Sequence, residues 1–145
     1  MVIVGIDFGD ARTGIAVCDK LEMMASEAGC IKADTYKKML SAVAQRVAEL
    51  APEQIVVGNP RNMNGTEGPR SEKCRAFAAA LAEETGIETV LVDERLTTVS
   101  AHKILSENNV RGKKRKETVD TLSARLILED YLAMRQSARK REAQE

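Results

Sequence analysis

The stretch that decides the fold is residues 2–17, which read VIVGIDFGDARTGIAV. An apolar run stops at a carboxylate, turns through glycines and resumes as a second apolar run, which is typical of two β-strands joined by a short turn. This pattern places Asp7 at the end of the first strand, facing a crevice. Open α/β sheets usually place their chemistry at the carboxyl ends of their strands. Asp7 is therefore the first candidate site residue.

The bulk composition indicates one globular domain. The chain has 145 residues, of which 43% are hydrophobic and 30% charged, a size and balance at which one core forms without disulfides or structural metals. The formal net charge is zero, so any attraction toward nucleic acid must come from local clusters of charge. The longest apolar runs fall well short of the roughly 20 residues of a membrane span, and no signal-like segment opens the chain. We expect a cytoplasmic protein without membrane contact.

Cysteine and histidine usage limits the available metal and disulfide chemistry. Cys18, Cys30 and Cys74 are odd in number and widely spaced, which favours reduced core thiols over a disulfide framework. His102 is the only histidine. A His-ligated zinc site, a two-histidine relay or haem ligation is therefore hard to build.

Strands alternate with helices along most of the chain. We predict strands at residues 2–7, 13–19, 22–33, 54–58 and 88–93, and helices from Thr35, Pro69, Thr97 or Thr98, and near Thr118 to about Gln136. The fold predicted for residues 1–136 is a three-layer α/β domain, with antiparallel N-terminal strands, a parallel sheet centre and flanking helices. Residues 137–145 alternate in charge without an apolar face, and we expect a disordered polar tail there.

Two segments differ from their surroundings in composition. Residues 61–69 are rich in Asn and Gly, and residues 111–116 carry five cations in six positions, so we expect mobile loops at both. The basic segment, which includes Lys113, Lys114 and Arg115, suits a contact with nucleic-acid phosphates. A solvated run of charge is the equal alternative. The chain has no Trp and only two Tyr and two Phe. So few aromatic residues argue against a surface on which nucleic-acid bases stack.

Three acids, Asp7, Glu94 and Asp120, form the candidate catalytic centre. Asp7 and Glu94 follow strands whose ends meet at one edge, and Asp120 flanks the apolar stripe of the last helix. Carboxylate oxygens select hard cations such as Mg²⁺ or Mn²⁺, and such a site can hold two ions about 4 Å apart that act on an attacking water and a leaving oxygen. Simpler roles stay open: a turn cap for Asp7, a surface ion pair for Glu94 and a helix-dipole partner for Asp120.

Arginines near the same crevice are candidates for substrate binding. Arg12 follows the first turn, and Arg61 and Arg70 flank the Asn- and Gly-rich segment. The planar guanidinium fork suits a phosphate group. Pairing with surface acids is at least as consistent with the sequence for each of them.

At these residues the sequence resembles the YqgF (RuvX-like) family of bacterial proteins. Four blocks carry the resemblance in order: GIDFGDARTGIAV at 5–17, VVGNPRNMNGTEGPRSEKCRAFAAAL at 56–81, VDERLTT at 92–98 and VDTLSARLILEDYL at 119–132. The family comprises Holliday-junction-resolvase-like nucleases implicated in maturing the 5′ end of pre-16S rRNA. The resemblance implies a ribonuclease H-like fold. It also implies that Asp7, Glu94 and Asp120 bind divalent metal for phosphodiester hydrolysis.

This chain departs from the family pattern at three positions. Asn59 replaces the usual leucine of a GLP-type turn, Ser123 stands where alanine is common, and Asp10 occupies a position often held by a small or hydroxyl residue. None of these changes removes a candidate acid. Asp10 adds negative charge beside Asp7.

Four functions are compatible with these features to different degrees. The leading one is a metal-dependent endonuclease acting on structured RNA, above all precursor rRNA. The second is a Holliday junction resolvase acting on branched DNA, a function that favours a homodimer. The sequence itself is compatible with a monomer or a homodimer. A nucleotide-phosphate loop of the actin and sugar-kinase type needs two lobes, which one domain of this length does not supply. A non-catalytic module that binds nucleic acid or protein is the fourth, and it is weakened by the zero net charge.

Overall fold

A computed structural model of the chain describes residues 1–61, 64–94 and 112–144, with side chains in the last range from residue 121 onward. The strands are β1 (Ile3–Asp7), β2 (Arg12–Cys18), β3 (Ala25–Lys32), β4 (Gln54–Asn59) and β5 (Glu88–Asp93). The helices are α1 (Tyr36–Leu50), α2 (Pro69–Thr85) and α3 (Gly112–Gln144). The predicted helix from Thr97 or Thr98 to Glu107 lies outside the described residues.

The five described strands form one mixed sheet in the order β3-β2-β1-β4-β5. β1 pairs antiparallel with β2, and β2 with β3, whereas β1–β4 and β4–β5 are parallel. Tight turns suffice for the antiparallel pairs, while each parallel pair needs a crossover, which α1 and α2 provide. The predicted antiparallel start and parallel centre are confirmed.

Strand alternation assigns each face of the sheet to its own helices. Val4, Ile6 and Phe8 of the first strand and its exit turn belong to the core cluster that includes α1 and α2. Ile3 belongs instead to the cluster that includes α3. Since side chains alternate between faces along a strand, Gly5 and Asp7 face α3 as well. The sheet thus has helices on both sides, the predicted three layers.

Local signals begin and end the first two helices. The Thr35 side chain accepts a hydrogen bond from the backbone N–H of Lys38 at 3.2 Å and caps α1, and Pro69 occupies the first turn of α2. Ala51 and Gly86 follow the two helices in the left-handed conformation, and their N–H groups donate to Val47 and Ala82 respectively. These boundaries agree with those predicted from the caps.

Helix α3 is longer than predicted at both ends. It begins at Gly112, so the expected loop over residues 111–116 is wrong for residues 112–116. Lys and Arg are good helix formers, and no Gly or Pro follows Gly112. The helix also continues to Gln144, through the tail expected to be disordered. Arg135 and Arg139 both donate to the buried Glu22 carboxylate, a long-range contact that holds this end of the helix.

Contacts along α3 give its direction across the sheet. The Tyr131 hydroxyl donates to the Gln54 side chain, at the start of β4, at 2.8 Å. Four residues earlier in the helix, Ile127 lies against Gly58, near the end of β4. The helix therefore runs antiparallel to β1 and β4, and its N-terminal part lies toward the carboxyl ends of these strands.

Two further sequence-based expectations concern the cysteines and membrane spans. All three cysteines are free thiols, and Cys18 and Cys74 are buried, as predicted. Burial raises the pKa of the Cys18 thiol, which keeps it protonated and inert near neutral pH. None of the helices in the described ranges combines the length and the apolar character that a membrane span needs.

Candidate active site

A cavity at the carboxyl edge of the sheet contains two of the three candidate acids. Its volume is about 210 Å³, and Asp7, Arg70 and Glu94 line it together with Phe8, Gly9, Pro60 and Cys74. Asp7 and Glu94 are each only 8% exposed. Two carboxylates in one small cavity repel each other when ionised, and a bound cation would relieve that repulsion.

The strand register explains why these two acids meet. Asp7 ends β1 and faces α3, and Gly58 of the neighbouring strand β4 is paired with Val92 of β5. Glu94 follows Val92 by two residues, so alternation returns it to the face of Val92, which belongs to the α3 cluster. Both carboxylates therefore lie on one side of the sheet, at the edge where these strands end.

Gly58 leaves room for the Glu94 carboxylate between β4 and α3. A Cβ atom at this position would lie 2.6 Å from Glu94 Oε1 and 2.6 Å from Ile127 Cδ1. Both distances are shorter than real side chains allow. The missing side chain is what lets the Glu94 carboxylate lie against the backbone of β4.

The guanidinium of Arg70 forms the cationic wall of the cavity. It donates to the Phe8 carbonyl oxygen, lies 5.1 Å from the centroid of the Phe8 ring, and has Asp10 Oδ1 3.4 Å from its Nη1. The Phe8 ring is itself stacked on Phe77 of α2, with centroids 4.2 Å apart. Arg70 is thus held by a rigid aromatic support beside the two acids.

A buried hydrogen bond fixes the start of α2, and with it Arg70. The Ser71 hydroxyl donates to Asn59 Oδ1 at 2.6 Å, and both side chains are almost fully buried. This bond joins the end of β4 to the first turn of α2. Asn59, where the family commonly has leucine, serves as the acceptor in this contact.

The structure describes the backbone of the third acid, Asp120 of α3, and not its side chain. It precedes Ala124 by one turn, and the carbonyl oxygen of Ala124 lies 3.0 Å from where a Cβ on Gly5 would be. One turn advances the helix by about 6 Å, and Asp7 lies about 7 Å beyond Gly5 along β1. Because α3 runs antiparallel to β1, its backbone at Asp120 lies toward the edge that carries Asp7.

The predicted substrate-binding residues fall in different places. Arg70 lines the cavity, whereas Arg61 pairs with Glu67 at 3.5 Å, next to the cavity residue Pro60. Arg12 lines a separate groove. Lys113, Lys114 and Arg115 belong to the first turns of α3, and their side chains lie outside the described set. Among the described residues, no three acids, cysteines or histidines form a metal-binding cluster.

Three residues shape the surroundings of the cavity through roles that the sequence does not predict. Gly58 lets the Glu94 carboxylate approach the backbone of β4. Asn59 and Ser71 act through a hydrogen bond between residues twelve positions apart. The signal in the sequence is a polar residue, Asn59, at the end of an apolar strand, and another, Ser71, on the helical face of Cys74 and Ala78. Buried polar groups need partners, and this rule could have suggested their pairing.

Comparison with known proteins assigns the family. Residues 1–134 match the family described as RuvX, Holliday junction resolvase. The chain belongs to this RuvX family. The resemblance to YqgF and RuvX-like proteins deduced from the four sequence blocks is thus confirmed.

Relatives and one solved structure extend the family assignment. Proteins from Ruminiclostridium cellulolyticum and Lactococcus lactis, 41% and 42% identical, carry the provisional name pre-16S rRNA nuclease. The matches cover 91% and 90% of this chain, and 94% and 92% of the relatives. RuvC of T. thermophilus, solved with a Holliday junction substrate, superposes with a TM-score of 0.58 over 92% of this chain and 96% of its own, at 15% identity. This likeness shows that the two chains share a fold, and it agrees with the predicted ribonuclease H-like, three-layer α/β architecture.

Proposed function

We propose that this RuvX-family chain is a divalent-metal-dependent endonuclease that hydrolyses phosphodiester bonds in precursor 16S rRNA in the cytoplasm. The observation that carries the proposal is the meeting of Asp7 and Glu94 in one cavity with Arg70 at its wall. Membership of a nuclease family and the names of the relatives agree with it.

The carboxylates fit a hard divalent cation. Asp7 and Asp120 would be its principal ligands, and Glu94 would complete the site or position a water molecule. Bound there, Mg²⁺ or Mn²⁺ would polarise the scissile phosphodiester and lower the pKa of a coordinated water. Two carboxylates alone leave most of the coordination positions of such an ion for water and substrate.

Arg70 would bind and orient the phosphate. Its guanidinium offers a planar fork of donors, which matches two oxygens of one phosphate group. Its support by Phe8 keeps it in place before substrate arrives, so little freedom is lost on binding. Arg61 and the basic positions 113–115 would hold the backbone on either side.

The test compares wild type with Asp7→Asn and Glu94→Gln on a transcript that spans the 5′ end of precursor 16S rRNA. We expect both variants to lose at least about a hundredfold in cleavage rate with Mg²⁺ or Mn²⁺, and wild type to be inactive in excess chelator. Glu83→Gln, an exposed acid far along α2, is the matched control and should cleave normally. Equal cleavage by all four proteins would contradict the assignment.

Branched DNA is a second candidate substrate, favoured by the family description as Holliday junction resolvase. Paired cuts in a four-way junction favour a two-fold dimer that presents two sites. Competition between junction DNA and precursor RNA, combined with light scattering, separates the two functions. A dimer that prefers the junction would replace the RNA proposal. A protein with no saturable binding of millimolar Mg²⁺ or Mn²⁺ by calorimetry would be a non-catalytic binding module.

A further inference from the structure

A second concave surface lies at the same edge of the sheet as the cavity. It is a groove of about 520 Å³ between the start of β2, the end of β3 and the first turns of α1. Arg12, Lys32 and Lys38 line it together with Asp34, and three alanines complete its lining. The groove therefore has small residues between its charged ones.

The strand register relates the groove to the cavity. Asp7 at the end of β1 pairs with Gly14 of β2, and Arg12, two residues before Gly14, pairs with Lys32 of β3. The groove thus lies beyond the carboxyl end of β1, on the next two strands of the sheet. Neighbouring strands are about 4.8 Å apart, so the two groove strands lie roughly 5 and 10 Å from β1 along the sheet edge.

The charge of the groove favours an anion. Its lining carries three cations and one acid, Asp34, whose Oδ1 lies 3.2 Å from Lys38 Nζ. That pair is 68% and 77% exposed, and exposed pairs of this kind contribute little to stability, so a phosphate can replace Asp34 at small cost. The Nε of Arg12 is buried and has no hydrogen-bond acceptor within the described ranges.

The cations of the groove continue those of the cavity. Arg70 and Lys73 of α2 lie 3.4 and 3.6 Å from Asp10, which is only two residues before Arg12. Cationic side chains from α2, β2, β3 and α1 thus follow one another along the edge. A single small anion would use one of these positions, whereas a polynucleotide strand presents a phosphate to several.

We propose that this groove binds the sugar–phosphate backbone of the polynucleotide, close to the bond placed in the cavity. The lysine and arginine heads would contact phosphates, and the alanines would leave space for a sugar ring. This inference rests on the proposed nuclease function for the position of the cleaved bond.

The experiment measures binding without cleavage. Wild type and the triple variant Arg12→Gln/Lys32→Gln/Lys38→Gln are titrated into a labelled 15-nucleotide RNA, and into DNA of the same sequence, in chelator at KCl from 50 to 200 mM. We expect at least about a tenfold loss of affinity in the variant. Because each contact with a single-stranded phosphate contributes about 0.7 to the slope of log K against log salt, the slope should fall by about 2. Similar losses for RNA and DNA identify backbone binding, and a loss confined to RNA identifies contacts with its 2′-hydroxyls.

The matched control removes the same charge elsewhere. Lys20→Gln/Lys37→Gln/Lys140→Gln changes three exposed lysines outside the groove and should keep the wild-type salt slope. Arg12→Lys, which conserves the charge, should also keep most of the wild-type salt slope. Thermal melting verifies that each variant is folded. Equal loss in the two triple variants, or wild-type binding by the groove variant, would overturn the proposal.

The same proteins separate this inference from the proposed function. If Asp7→Asn cleaves RNA like wild type while the groove variant has lost binding, the nuclease assignment fails and the groove remains a backbone-binding site. If Asp7→Asn is inactive while the groove variant binds normally, only the groove fails. In the expected case, the groove variant raises KM and retains kcat, and Asp7→Asn loses kcat.

Discussion

Asp10 is a single residue that determines how much positive charge a phosphate meets at the mouth of the cavity. Its carboxylate lies between Arg70 and Lys73; Asp10 and Lys73 are exposed, by 66% and 60%, and Arg70 is partly exposed. Exposed ion pairs contribute at most about 1 kcal/mol, so the pairing is easily exchanged for contacts with a phosphate. Asp10 thus competes with substrate for Arg70, a consequence of the carboxylate that this chain carries where the family often has a small or hydroxyl residue.

We expect Asp10→Asn to bind RNA two- to threefold more tightly than wild type at low salt, because it removes a competing anion from Arg70 and Lys73. The gain should shrink as salt screens the surface charges. Fluorescence anisotropy in chelator measures it, with Glu83→Gln as a variant of equal charge change. Weaker binding by Asp10→Asn would show that Asp10 positions Arg70 instead of competing for it.

Single-residue roles divide into those that the sequence predicts and those that it does not. Asp7 and Glu94 were predicted as neighbours because strand ends follow from local apolar runs, and they line one cavity. Arg12 is close to Asp7 in sequence but lines the separate groove, because the turn carries the chain past β1 into β2. The role of Gly58 depends on a residue of another strand and one of a helix, and no local pattern reports it.

At the scale of elements, two glycines let α3 approach the sheet closely. A Cβ on Gly5 would lie 2.8 Å from Leu128 Cβ and 3.0 Å from the Ala124 carbonyl oxygen. On Gly58, the clashing atoms are the flexible ends of Glu94 and Ile127. A side chain at Gly5 therefore meets atoms that cannot move without the helix, whereas one at Gly58 meets atoms that can turn away.

We expect Gly5→Ala and Gly58→Ala to separate stability from activity. Gly5→Ala should lower the free energy of unfolding by about 1–3 kcal/mol, the usual cost of overpacking. Gly58→Ala should lower the free energy of unfolding by less than Gly5→Ala does. It should lower the cleavage rate by more, because it displaces the Glu94 carboxylate from the cavity. Urea unfolding and RNA cleavage, measured on both variants, check this. A Gly58→Ala protein with wild-type cleavage would show that the position of Glu94 against β4 is not needed.

The predictability of the elements follows from how local their determinants are. β1, β4, β5, α1 and α2 have boundaries close to those predicted, because apolar runs, Thr35, Pro69 and Gly86 mark them. The ends of α3 were not predicted, since its basic start has no apolar face in the sequence. Its C-terminal part is held by Glu22, more than a hundred residues away.

At the scale of the whole molecule, Glu22 joins the β2–β3 connection to the C-terminal part of α3. Its side chain is 5% exposed, and the carboxylate accepts hydrogen bonds from Arg135 Nε at 2.6 Å, Arg139 Nη2 at 2.8 Å and the Met1 ammonium at 3.0 Å. The hydrogen bond from Arg135 is the largest cause that lowers the pKa of Glu22, from its ordinary value of 4.5 to about 2. The ionised form is therefore strongly favoured in the folded protein.

The lowered pKa of Glu22 predicts how the free energy of unfolding depends on pH. Because the pKa of Glu22 is lower in the folded state, its ionised carboxylate stabilises that state fully above pH 4.5. This stabilisation is lost as the pH falls toward 2. We expect Glu22→Gln to lower the free energy of unfolding by about 2 kcal/mol at pH 7, and the difference from wild type to narrow below pH 4.5. Urea titrations at several pH values test this, with the exposed Glu27→Gln as control. A difference that is constant down to pH 2.5 would contradict the assigned pKa.

The irregularity in β3 has a consequence for solubility. The register between β2 and β3 shifts between Ile15 and Ala16, opposite Gly29, whose φ is +113°. β3 is also the outer strand on this side of the described sheet, and it carries the exposed charges Glu27 and Lys32. A bulge and charges on an outer strand make it a poor template for a strand of another molecule. On this side, the sheet is protected against edge-to-edge aggregation even in a crowded solution.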